Sequence, residues 1–138
     1  MADDGNQRSK FIVEHSNFLA PEDLYRFIHL DSFEGDWEGL GLDDDELCLL
    51  QIQIMIDPLE PPIVSGTGGV RKVQFIPPPK EGERRKVVDV LYAVFTDFSV
   101  AVLAAADKGG EIEDILPEER AALQTIMREI EEALERGR

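Results

Sequence analysis

Cysteine is nearly absent from this 138-residue chain. The single thiol, Cys48, lies in an apolar run, so no internal disulfide can form and a buried thiol is expected. With only two histidines, His15 and His29, set far apart, the sequence offers no zinc site, and no cofactor is expected. No apolar run approaches the roughly 20 residues of a membrane span. Met1-Ala2-Asp3-Asp4 is acidic and lacks the basic-then-apolar layout of a signal peptide, so a reducing cytoplasm is the expected setting. Positive charge is scarce: 14 Lys and Arg stand against 29 Asp and Glu, giving −15 and a pI near 4.4. Such a field repels nucleic acid and slows encounter with it. Internal repeats are missing too, and no Gly-Lys-Ser/Thr follows the glycines at the spacing of a phosphate loop.

The residues present suffice for one domain with one core. Residues 1–22 read as an appended arm whose first ten positions are polar and expected to be disordered, with Phe11-Ile12-Val13 and Phe18-Leu19 able to pack on the domain or add an edge strand. The domain, residues 23–138, opens with a strand at about 25–30. Phe33 and Trp37, four apart, share a helical face. Asp43 caps a second helix, with Glu46 three residues on as the other half of a capping box and Leu47, Leu50 and Ile54 on one side. Strands are expected near 70–76, 87–95 and 98–105. Pro77-Pro78-Pro79 stops the first, and Thr96-Asp97 turns between the other two. Pro117 opens a last helix with Glu118 and Glu119 at its positive end, and Leu123, Ile126, Met127, Ile130 and Leu134 form its apolar stripe. The fold class expected is α+β: two helices, a twisted, mostly antiparallel sheet with Arg71 to Phe75 in a central strand, helices on one side, and a closing helix.

The most informative stretch is Gly66-Thr67-Gly68-Gly69, followed at once by Val70-Arg71-Lys72-Val73-Gln74-Phe75. Glycines at a tight turn permit positive φ. Beyond them the pattern alternates, with Arg71, Val73 and Phe75 on one face and Val70, Lys72 and Gln74 on the other. Arg71, Lys72, Lys80, Arg84, Arg85 and Lys86, against Glu81 and Glu83, leave this segment at +4 and the remaining chain at −19. The island is either a phosphate-contacting surface or a solvated hairpin loop.

Several flanking pieces fall in a familiar order. Tyr25-Arg26-Phe27-Ile28-His29-Leu30 is followed by Phe33, Trp37 and Leu40-Gly41-Leu42-Asp43-Asp44-Asp45-Glu46-Leu47. Then come Leu50-Gln51, Ile54, Pro58 and Ile63-Val64-Ser65 leading into the glycines. After the turn come Val90-Leu91-Tyr92, Val100 to Leu103, Lys108, and the acidic-then-proline helix start at Asp114 to Glu119. This order resembles the HigB-like branch of the RelE toxin family, the toxin halves of bacterial type II toxin–antitoxin systems. The likeness spans roughly residues 24–138.

The resemblance implies a metal-independent mRNA endonuclease working on the ribosome, with a cognate antitoxin-like protein as partner. In such chemistry the RNA's own 2′-hydroxyl attacks the adjacent phosphate, so cations must meet the charge on phosphorus and a donor must protonate the leaving oxygen. By position, Lys72 and Lys108 match family cations, and Arg84 and Arg85 are the nearest replacements for those that are missing. These four are the catalytic candidates. Arg71, Lys72, Lys80, Arg84, Arg85 and Lys86 are the RNA-binding candidates. Three positions depart from the family: Gln74 and Asp89 stand where cations are usual, and Ala106 where a tyrosine is usual. One lost donor costs about 3–4 kcal/mol of barrier, or 10²–10³ in rate. Tyr92 is expected to be packed in its strand. Two functions therefore stand: a toxin with a degenerate endonuclease centre and weak contact with ribosome and mRNA, or an inactive toxin-fold module that binds a protein partner.

Overall fold

The computed structural model describes residues 24–110 and 115–137; the expectations for the N-terminal arm lie outside them. The elements run β1 (Arg26–His29), α1 (Asp31–Gly39), α2 (Asp44–Ile56), β2 (Arg71–Phe75), β3 (Val88–Phe95), a 3-10 turn (Thr96–Phe98), β4 (Val100–Lys108) and α3 (Pro117–Arg136). This is the expected α+β fold. The four strands form one sheet in the order β1-β4-β3-β2, with β1 parallel to β4 and the other pairings antiparallel.

Local chemistry accounts for the element ends. Asp31 and Glu34 lie in the first turn of α1, where the helix dipole favours acids. The reciprocal box at α2 is complete: Glu46 N donates to Asp43 Oδ1 and Asp43 N to Glu46 Oε1, both at 2.9 Å. At α3 only one half forms, Leu116 N donating to Glu119 Oε1 at 2.9 Å, because leucine has no acceptor to return. Cys48 is exposed, contrary to expectation. The buried stripe of α2 is Glu46, Leu50 and Ile54, and Cys48 falls about 200° around the helix from Glu46.

Helices cover both faces of the sheet rather than one. Phe33 and Trp37 of α1, their rings 5.3 Å apart, pack with Leu50 and Ile54 of α2 on Val73, Phe75, Val88, Val90, Tyr92, Leu103 and Ala106. On the opposite face Met127, Leu123, Ile126, Ile130 and Leu134 of α3 pack on Leu91, Ala93, Val100, Val102 and Ala104. The cause is visible in β3 and β4: Val88 to Ala93 and Val100 to Ala104 are buried without a break, as in strands apolar on both sides.

β2 is an edge strand, not a central one. Its outer side meets the chain just before the glycines: Val64 N donates to Val70 O at 2.8 Å and Lys72 N to Pro62 O at 3.1 Å. The turn between them holds Gly66, Gly68 and Gly69 at φ of 79°, 77° and 109°. Thr67, fully buried, ties it, its hydroxyl donating to Val64 O at 2.6 Å and accepting from Val70 N at 3.1 Å.

Candidate functional site

Sheet register decides which of the expected residues meet. Partners across a ladder share a face. Lys72 pairs with Leu91, which belongs to the face under α3. Lys108 pairs with Val88, which belongs to the face under α1 and α2. The two lysines are therefore placed on opposite sides of the sheet, with Lys72 half-buried and Lys108 exposed at the end of β4.

Arg71 pairs with Tyr92 on the α1–α2 face. Its guanidinium donates to Leu59 O at 2.8 Å and Pro61 O at 2.7 Å, while Tyr92 Oη donates to Pro58 O at 2.6 Å. Together they staple the loop after α2. Burial pushes the Tyr92 phenol up to about 12, against the opposing pull of Arg71. Tyr92 is a packed strand residue, as expected.

The loop between β2 and β3 is tied down at both ends. Lys80 Nζ lies 3.2 Å from Asp43 Oδ2 and 3.5 Å from Glu46 Oε1. The hydrogen bond to Asp43 raises the lysine pKa; in return the Asp43 carboxyl sits below its ordinary value, chiefly through the Glu46 backbone N–H. Lys86 Nζ donates to Leu40 O at 3.1 Å and lies 4.0 Å from Glu83. Arg84 and Arg85, between these anchors, are exposed. Of the expected cations, then, Arg71, Lys80 and Lys86 bind the protein's own carbonyls and carboxylates, and Arg84 and Arg85 face solvent.

The three positions that depart from the pattern of the resembled family split in the same way. Gln74 pairs with Asp89, and Asp89 with Asp107. Asp89 is 1 % exposed and its Oδ2 accepts from Gly110 N at 2.6 Å, fixing the turn after β4. Ala106 is buried on the other face, among the α1–α2 contacts. Among the described residues no group of three or more His, Cys, Asp and Glu can hold a metal, and no helix is long and apolar enough to cross a membrane.

A feature the sequence reading missed lies along β4. β1 pairs with β4 only as far as His29 and Leu103, so β4 runs on without it. α1 takes over the exposed edge. Ser32 Oγ donates to Ala104 O at 2.7 Å, and Ala106 N donates to Asp36 Oδ2 at 3.0 Å. Between α1, this stretch of β4 and α3 opens a groove of about 650 Å³ lined by Ala104, Ala105 and Leu91. Its only traces in the sequence are the i,i+4 pair Gly35 and Gly39 and the run Ala104-Ala105-Ala106, which point nowhere until the helices are placed. In comparison with known proteins, no family model and no curated protein matches the sequence.

Proposed function

We propose that this chain is a catalytically inactive RelE/HigB-like toxin-fold module that acts by binding a protein partner of antitoxin type. The order of motifs supports the toxin-fold label. The observation that carries the loss of catalysis is the register of the sheet. Lys72 and Lys108 fall on opposite faces, and both faces are covered by helices. A transition state with charge growing on phosphate needs several donors aimed at one point. Buried Asp89 adds a negative charge where the family has a cation. With −19 outside the basic island, RNA affinity is expected to be weak and to fall steeply with salt.

A second reading, a residual endonuclease, is favoured by one observation: the adjacent, exposed Arg84 and Arg85 at a tethered loop. Induced expression in a bacterium, read by growth and by mapping of message 5′ ends, separates the two. The partner-binding reading expects no new message ends, with wild type and Lys72→Ala alike. Cleavage abolished by Arg84→Ala/Arg85→Ala would establish the second reading instead. Co-purification with the product of a neighbouring gene encoding a small helix-turn-helix protein tests the partner.

A further inference from the structure

The groove along β4 is walled by α1 on one side and α3 on the other. Three properties define what fits it. The first is that its strand edge is closed. Ser32 and Asp36 already satisfy Ala104 O and Ala106 N, so an added strand would find those ladder groups occupied. The second is a mixed interior, with open apolar surface beside its polar groups. Leu91 and Ala104 lie beneath the floor, 4 % and 1 % exposed, so the apolar surface on offer comes from half-buried Ala105, Leu123 and Ile126, and the space where Gly35 and Gly39 would carry a Cβ is open. Side chains arriving at i, i+3 and i+4 spacing can fill such a trough, and the glycine ridge lets a backbone approach closely.

The third property is charge. Asp36, Asp107 and Glu119 line the groove, and among the described residues no Lys or Arg does. Each carboxylate is steadied by a backbone N–H: Asp36 by Ala106, Asp107 by Lys108 at 2.8 Å and Glu119 by Leu116 at 2.9 Å. Little side-chain freedom then remains to be lost on binding. The net charge of −15 draws a cationic partner to the protein as a whole.

We infer that this groove docks a cationic amphipathic helix, apolar on the face turned to Ala105, Leu123 and Ile126 and carrying Lys or Arg toward Asp36, Asp107 and Glu119. The assignment rests on the partner-binding reading and gives that partner its chemistry. The test titrates two labelled synthetic helices, each with leucines on one face and either lysines or glutamates on the other. They are titrated into the full chain, into Gly39→Leu and into Asp107→Lys, at low and high salt. Gly39→Leu fills open space from a helical position, so its circular dichroism should match wild type and its stability to urea should be no lower. The lysine helix should bind wild type, lose affinity with salt, and bind each variant at least about tenfold more weakly, a loss of about 1.4 kcal/mol; the glutamate helix should not bind.

Equal affinity for wild type and both variants would mean attraction to bulk charge and would overturn the assignment. So would failure of the lysine helix to bind, or equal binding of both helices. A co-purified antitoxin-type partner whose binding survives both variants would remove the groove while leaving the partner-binding reading in place. Message cleavage in the expression assay would remove that reading, whatever the peptide titration gives.

Discussion

Replacing Tyr92 by Phe isolates one hydrogen bond at the base of the basic strand. The ring of Tyr92 is fully buried on the α1–α2 face, and its hydroxyl donates to Pro58 O at 2.6 Å. Phenylalanine keeps the packing and removes the donor. A buried acceptor left without a partner costs about 1–3 kcal/mol. Pro58 is only half-buried, so water can reach its carbonyl and the lower part of that range applies, about 1–1.5 kcal/mol. For a chain of this size the melting point should fall roughly 3–6 °C. The pH dependence supplies a separate signature, that of the phenol's burial. Folding raises the phenol from about 10 to about 12, so between those pH values the folded state holds the proton more firmly than the unfolded one. The associated stability is fully present below pH 10 and is lost as pH rises through about 12. Tyr92→Phe has no such group, so the stability gap between the two proteins should narrow over that window. Urea unfolding at pH 7 and at intervals up to pH 12 measures both effects. Equal stability at pH 7 would refute the hydrogen bond as the origin of the loss, and a gap that widens with pH would refute burial as the cause of the raised phenol.

Thr67→Ala removes the hydroxyl that bridges Val64 O and Val70 N inside the glycine turn; it should cost about 2 kcal/mol in urea unfolding. Gly35→Ala lies in mid-helix with open space around the added methyl, and should stabilise the protein by about 0.5–1 kcal/mol in the same assay. Asp89→Arg, which would supply the cation expected if the proposed toxin resemblance holds, places an unpaired charge at a site 1 % exposed and removes the acceptor of Gly110 N. It should cost about 3–5 kcal/mol and yield no nuclease; Ala106→Tyr on the opposite face cannot assist it. A soluble, folded Asp89→Arg protein that cleaves message would contradict this.

Much of the fold was legible in local sequence because its causes are local. Asp43 and Glu46 form a capping box whatever surrounds them, Pro77 to Pro79 end a strand because they lack ladder donors, and Pro117 presets the first turn of α3. Alternation from Val70 to Phe75 correctly sorted Arg71 from Lys72. Charge arithmetic likewise required nothing but composition.

Strand order, the partner of each face and the fate of each cation were decided only by tertiary structure. Alternation says that two residues lie on opposite sides of one strand, but not whether residues of different strands share a side. That depends on register, and the irregularity between Leu91 and Tyr92 shifts it between β3 and β4. A lysine in a sequence is a free charge; Lys80 and Lys86 became ties because the fold brought Asp43, Glu46 and Leu40 within reach. The groove has the same origin. Two glycines and three alanines acquire meaning only when α1 and α3 stand on either side of a strand that outruns its neighbour. Such contacts join residues far apart in sequence, and their energies exist only once the chain has closed on itself.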